Sequence, residues 1–170
     1  MIVHHHDSLC VHYKREIGQI VGIVTPFRGQ KNILRQLLKS NNIKLNKFGT
    51  IHSLQGAEFP IVIFSPTYTK NFTSSPVIFD LDDTMLNVAV SRAQDNFIVF
   101  GDMGIFNPNN DSLPSGLLAQ YLFANPNNEI NNYPKPFKNY ISKEDEIRKI
   151  DTLDKHREVL KQSIVYAQKK

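Results

Sequence analysis

Short runs of consecutive apolar residues alternate with helical stretches along the middle of the chain. Four runs rich in Val, Ile and Phe occupy residues 19–25, 47–51, 60–65 and 96–101. Their apolar residues are nearly continuous rather than alternating, which is typical of strands that are covered on both faces. The pattern predicts an α/β fold, a parallel sheet with helices on both faces.

Two helices are predicted between these strands. Residues 28–38 repeat leucine and isoleucine at helical spacing. Residues 82–93 form the other helix, with Asp82, Asp83 or Thr84 available as its N-terminal cap.

The composition changes at both ends of this region. Residues 1–18 are polar and are predicted to be an irregular lead-in, so that the domain spans residues 19–124 and ends with a helix near residues 115–123. Residues 125–141 are rich in Asn and Pro and are predicted to be a linker. Residues 142–170 carry mixed charges with apolar residues at roughly helical intervals. They predict a charged amphipathic helical tail, either docked on another surface or packed lightly on its own domain.

The charge, the cysteine content and the apolar runs of the chain bear on its partners and its cellular location. The net charge is +4, which permits nucleic-acid binding without requiring it. Cys10 is the single cysteine, so no internal disulfide framework exists. The chain has no run of eighteen apolar residues and no apolar segment near its start that resembles a secretory signal. We therefore expect a cytoplasmic protein without a membrane partner.

Polar residues follow several predicted strands. Thr25 and Pro26 lie at the end of the first predicted strand, Thr50 and His52 at the end of the second, and Asp102 at the end of the last. Ligands of open α/β sheets bind beyond the carboxyl ends of parallel strands, so these positions are candidate contacts.

Three further residues suit a nucleotide. Gly56 allows a close backbone approach, and Glu58 can accept hydrogen bonds from a sugar hydroxyl. Arg92, between a helix and a strand, can present a planar donor fork to a phosphate. Each is weak alone, because a lone helical arginine is more often a surface ion-pair partner.

In order and spacing, three segments resemble motifs IV, V and VI of superfamily 1 helicases. The branch is the one that contains the nonsense-mediated-decay RNA helicase and the flap-processing nuclease-helicase. Residues 24–30 (VTPFRGQ) resemble motif IV, residues 50–58 (TIHSLQGAE) motif V, and residues 86–93 (LNVAVSRA) motif VI. The resemblance covers roughly residues 19–103 and implies the second RecA-like domain of such a helicase.

This resemblance implies a nucleotide-facing group of residues. Arg92 would be an arginine finger that reaches the γ-phosphate of ATP held in a partner domain. Gly56 and Glu58 would lie on the nucleotide side, with Glu58 near the ribose. Gln55 would lie between the nucleotide and nucleic-acid surfaces.

The resemblance also implies a nucleic-acid channel. Thr50 and His52 would contact the phosphates of single-stranded DNA or RNA. Thr25 and Pro26 would line the same channel.

The first half of such a motor is absent from these residues. No G-x-x-x-x-G-K-[ST] phosphate loop (Walker A) occurs in the sequence, and no acidic metal-binding motif accompanies it. ATP and Mg²⁺ would thus be bound mainly by a partner domain or chain with a Walker A loop. We expect no ATP hydrolysis by the chain alone. A non-catalytic nucleic-acid-binding or protein-interaction module derived from a helicase is the alternative.

A more remote alternative is a haloacid-dehalogenase-like phosphatase. Residues 76–86 (PVIFDLDDTML) resemble its first motif, with Asp80 as nucleophile and Asp82 as general acid at a strand end. Only Asp102 is available as the later acidic motif, about twenty residues on, and Arg92 would be unexplained.

The histidines near the start of the chain suggest a metal site. His4, His5 and His6 are consecutive, with Cys10 and His12 nearby. Adjacent histidines on an irregular segment rarely converge on one ion, and no second ligand cluster follows. We expect no metal site.

Overall fold

The fold is built around a five-stranded sheet with the strand order β2-β1-β3-β4-β5. The computed structural model describes residues 1–69, 71, 77–125, 128 and 165–168. The strands are β1 (Val21–Val24), β2 (Phe48–Gly49), β3 (Phe59–Phe64), β4 (Ala93–Val99) and β5 (Val165–Gln168). The first four run parallel to one another, whereas β5 runs antiparallel to β4. The predicted α/β, RecA-like parallel sheet is confirmed, with one antiparallel strand added at its edge.

Helices cover both faces of the sheet, as predicted. The helices are α1 (Ile2–Tyr13), α2 (Ile17–Ile20), α3 (Arg28–Ser40), α4 (Ile78–Leu81), α5 (Asp83–Ser91) and α6 (Pro114–Leu122), with 3₁₀ helices η1 (Ile51–Leu54) and η2 (Met103–Ile105). Residues of α1, α2 and α3 belong to one buried cluster, and residues of α4, α5 and α6 to the other.

The two clusters explain why β1 and β3 are apolar throughout. In β3, Ile61 and Ile63 face the cluster of α1, α2 and α3, whereas Val62 and Phe64 face that of α4, α5 and α6. Successive side chains of a strand point to opposite faces, so a strand covered on both sides has no polar position.

The first eighteen residues differ from the prediction of an irregular lead-in. They include the helices α1 and α2. Ile2, Leu9 and Tyr13 lie at helical spacing, and all three pack into the cluster beside α3. This segment therefore contributes to the core of the domain.

The linker and the helical tail lie mostly outside the described residues. The exception in the tail is residues 165–168, which form β5 rather than helix because they pair with the edge of β4. Among the helices of the described part of the chain, none is long and apolar enough to span a bilayer.

Candidate functional site

The carboxyl end of β1 carries two of the predicted nucleic-acid contacts. Thr25 is fully buried, and its hydroxyl lies 3.4 Å from the hydroxyl of Thr67. Pro26 beside it is half-buried. The side-chain amide of Gln30 donates to the Ser65 hydroxyl at 3.4 Å, so the loop after β3 is joined to α3. In this arrangement Thr25 contacts the protein itself, and Pro26 is the more accessible of the pair.

Thr50 and His52 lie on and beside η1, which follows the short edge strand β2. Thr50 is the N-terminal cap position of η1, and its hydroxyl is 3.4 Å from that of Ser53. His52 is exposed. The chain thus presents a half-buried hydroxyl just before η1 and an exposed imidazole within it.

A cleft of about 180 Å³ separates η1 from α5. It brings His52 and Gln55 opposite Asp82 and Thr84, with apolar side chains beneath them. The pKa of Asp82 lies below its ordinary value, mainly because the Thr84 hydroxyl donates to the carboxylate at 2.6 Å. The Thr84 backbone N–H also donates to it, at 3.0 Å, and nearby His52 contributes in the same direction.

The residues predicted to face a nucleotide lie at the other end of the sheet, where β3 and β4 begin. Gly56 has φ of +74°, and a Cβ atom there would meet no heavy atom within 4 Å. The glycine is therefore needed for its backbone conformation, and the space around it is open. Glu58 is exposed, and one of its carboxylate oxygens accepts from the Gln94 amide at 3.3 Å.

Arg92 is the C-terminal cap residue of α5 and directly precedes β4. Its Nε donates to the Val88 carbonyl at 3.3 Å and lies 3.2 Å from the Ser91 hydroxyl, to which Nη2 donates at 2.8 Å. The Arg92 carbonyl accepts from the Phe59 N–H at 2.8 Å. Backbone and guanidinium are thus both held, at the position where Glu58 leads into β3.

The structure therefore divides the candidate residues between two ends of one sheet. Glu58 and Arg92 adjoin the first residues of β3 and β4, whereas Thr25 follows the last residue of β1. The six residues of β3 separate these ends by about 20 Å. η1 connects the two groups, since Thr50 precedes it and Gln55 caps its other end.

Sequence reasoning missed two side chains at this site. Ser91 orients the guanidinium of Arg92, and Gln94 binds Glu58. Ser91 is part of the motif VI resemblance, so the motif carried a signal for it. Gln94 has none, because its contact depends on the register between β3 and β4.

The phosphatase alternative lacks its structural context. Asp80 lies in the helical turn α4 and not at the end of a strand. Its two carboxylate oxygens accept from the backbone N–H and the hydroxyl of Ser115, each at 2.8 Å. Asp80 therefore caps the start of α6, where the helix has unpaired N–H groups.

The histidines near the start of the chain lie on α1, and His6 Nδ1 is 2.8 Å from the Asp7 carboxylate. Across the residues that the structure describes, no three His, Cys, Asp or Glu side chains are grouped as metal ligands.

The chain belongs to the AAA domain family, whose sequence profile matches residues 1–104. The match includes residues 1–18, in agreement with the packing of α1 on the sheet. In sequence it is a superfamily 1 helicase-like domain.

Three curated helicases are similar to part of this chain. DNA polymerase alpha-associated DNA helicase A of Schizosaccharomyces pombe is 33% identical over 82 residues, which cover 48% of this chain and 12% of that protein. Probable RNA helicase armi of Drosophila melanogaster is 32% identical over 92 residues, covering 48% and 7%. Helicase sen1 of Schizosaccharomyces pombe is 31% identical over 90 residues, covering 49% and 5%. The chain spans 12% or less of the length of each of these relatives.

Proposed function

We propose that this chain contributes the second RecA-like domain of an ATP-dependent helicase or translocase that acts on single-stranded DNA or RNA. The observation that carries the proposal is the position of Arg92. Its side chain is held by Ser91 and Val88 at the start of β4, beside the start of β3 where Glu58 lies. The similar helicases support it, since their names include both DNA and RNA helicases. A cytoplasmic location is part of the proposal.

In this function Gly56, Glu58 and Arg92 complete an ATP site whose phosphate loop belongs to a partner domain or chain. We call these three residues the nucleotide edge. The donor set fits such a ligand, because a guanidinium suits a phosphate and a carboxylate suits a ribose hydroxyl. ATP supplies the γ-phosphate for transfer, and Arg92 stabilises the charge that develops there. Glu58, oriented by Gln94, binds the ribose. Mg²⁺ is assigned to the partner, which would supply the acidic ligands.

The nucleic-acid contacts lie at the other end. Thr50 and His52 bind backbone phosphates from η1, and Pro26 lines the path beside them. Thr25 acts through the Thr67 loop that it contacts. Binding through phosphates weakens with salt and shows little sequence preference.

The test is ATP hydrolysis by the full chain, alone and with the Walker A-containing chain that copurifies with it. We expect activity only in the mixture. Arg92→Ala should reduce turnover by about 10³-fold or more, the range of arginine fingers, with single-strand affinity nearly unchanged. Arg15→Ala removes an exposed charge elsewhere and should leave both quantities unchanged.

The paired change Thr50→Ala with His52→Ala should have the opposite effect, lowering single-strand affinity first. Equal loss of turnover and affinity in Arg92→Ala would contradict the arginine-finger role. Hydrolysis by the chain alone would contradict the missing-half interpretation. Single-strand binding without hydrolysis in any mixture would favour a non-catalytic binding module.

A further inference from the structure

One face of α3 carries a row of positive charge. Arg28, Lys31, Arg35 and Lys39 are spaced by three, four and four residues, which places them on the same side of a helix. We call these four residues the basic stripe. The helix sequence RGQKNILRQLLKS contains no acidic residue.

The stripe belongs to a longer stretch without acidic residues. Between Glu16 and Glu58 the sequence has no Asp or Glu but has six Lys and Arg residues. In the described part of the chain, the one ion pair within 4.0 Å joins His6 to Asp7, on α1. Among the residues that the structure describes, no carboxylate forms an ion pair with a stripe residue within that distance.

Three of the four stripe residues face solvent, and one of these three is held in place. Arg28, Arg35 and Lys39 are exposed. Arg35 donates to the Asn32 side chain at 3.2 Å, and its guanidinium carbon lies 6.0 Å from the centre of the Phe48 ring on β2. Arg35 thus lies at the outer limit of a cation–π contact with Phe48 and remains exposed to solvent.

The stripe starts beside the proposed nucleic-acid contacts Thr25, Pro26, Thr50 and His52, which we call the nucleic-acid edge. Arg28 follows Pro26 by two residues and is the first residue of α3. Lys39 is eleven residues further along, so the row extends about 16 Å away from the carboxyl end of β1. α3 packs beside β2, whose carboxyl end leads to Thr50 and η1.

We propose that the basic stripe is a second contact surface for the phosphate backbone of single-stranded nucleic acid, continuous with the nucleic-acid edge. The inference rests on the proposed function and adds a path that the three motifs do not include. A linear row of cations matches a linear polyanion. A membrane surface fits less well, because the apolar side of α3, with Leu34 and Leu38, is packed in the core and is not available for insertion.

The test is fluorescence anisotropy with labelled oligothymidylates of two lengths, about 6 and about 20 nucleotides, within the range of single-strand site sizes. The variant is Arg28→Gln with Arg35→Gln in the full chain, since Gln has nearly the same helix propensity as Arg. The matched control is Lys14→Gln with Arg15→Gln, which removes two exposed charges from the turn between α1 and α2. Circular dichroism checks that all proteins remain folded.

We expect the stripe variant to bind the long oligonucleotide about 10-fold more weakly near 0.1 M salt. The slope of log affinity against log salt should fall by about 1.4, because each single-strand phosphate contact contributes about 0.7. Binding of the short oligonucleotide should weaken less than that of the long one, because only Arg28 adjoins the proposed channel, and the control should resemble the parent chain.

Equal losses in the stripe and control variants, or at both lengths, would overturn the stripe and leave the proposed function intact. No binding of either oligonucleotide by the parent chain would overturn both. If Thr50→Ala with His52→Ala changes nothing while the stripe effect persists, the stripe is supported and the proposed channel at η1 fails. Stripe-dependent binding to phosphatidylserine vesicles, without any effect on oligonucleotides, would overturn the stripe in favour of a membrane contact.

Discussion

Gly116 offers the sharpest test of how α6 is packed. This buried glycine is the third residue of α6, at the turn formed by residues 107–110. A Cβ atom at Gly116 would overlap the Asn110 carbonyl oxygen, come within 2.5 Å of the carbonyl carbon, and lie 3.0 Å from the Asn107 carbonyl oxygen. These are backbone atoms, so no side-chain rotation relieves the overlap.

Two opposing free energies decide the effect of Gly116→Ala. Alanine is favoured over glycine by up to about 1 kcal/mol inside a helix. Overpacking against a fixed neighbour costs about 1–3 kcal/mol, and sometimes more. With direct overlap of backbone atoms we expect the upper part of that range, hence a net loss of about 2 kcal/mol. For a chain of this size that lowers the Tm by about 4–8 °C.

The matched control is Gly29→Ala. Gly29 is the second residue of α3, and a Cβ atom there would meet nothing within 4 Å. It should therefore keep the Tm or raise it by a few degrees. Thermal unfolding followed by far-ultraviolet circular dichroism measures both. A Gly116→Ala protein that melts at or above the parent temperature would refute the packing argument, as would equal shifts in the two variants.

Two further substitutions test the side chains that cap the N-terminal ends of α5 and α6. Thr84→Ala should raise the pKa of Asp82 towards its ordinary value, which NMR titration of that carboxyl measures. Because the pKa is lowered in the folded state, Asp82 stabilises the fold at pH values above its ordinary pKa, and this stabilisation is lost as the pH falls through the folded-state pKa. Thr84→Ala should therefore weaken the dependence of stability on pH in the acid range. An unmoved pKa would contradict the assigned cause. Asp80→Ala should lower the free energy of unfolding by about 1–3 kcal/mol in urea titrations, because it leaves the buried N–H and hydroxyl of Ser115 without their acceptor. The exposed Asp111→Ala is its control, and equal effects would argue against the cap.

The strands were predictable where burial on both faces leaves an uninterrupted apolar signal. β1 and β3 match the predicted runs to within one residue at the carboxyl end, whereas β4 begins three residues before its run, with polar residues that the apolar pattern did not assign to a strand. β2 is shorter than the predicted run at residues 47–51. Gly49 has φ of +135°, outside the strand region, and the chain turns directly into η1. The early end of β2 depends on the backbone conformation of Gly49, which the apolar pattern does not indicate.

Elements stabilised by distant partners were not predictable. The apolar residues of α1 are interrupted by the polar run of residues 4–8, and the helix is ordered by packing against α3 and the sheet. β5 exists through pairing with β4, which lies far away in sequence. At the candidate site, the motifs named Arg92 and Glu58, and these assignments stay predictions. The contact of Gln94 with Glu58 joins residues 36 apart and needs the tertiary register.

The glycines on either side of η1 have a mechanical consequence. Gly49 and Gly56 both have positive φ, of +135° and +74°. Between them, Thr50 and Gln55 are joined by a single short turn of 3₁₀ helix. Ile51 and Leu54 of this turn are buried in the core, so the turn is anchored between the two glycines. Under the proposed function, this anchored turn is the short link between the nucleic-acid contacts at Thr50 and His52 and the nucleotide contacts that begin at Gln55, and a non-glycine residue at Gly49 would strain one end of that link.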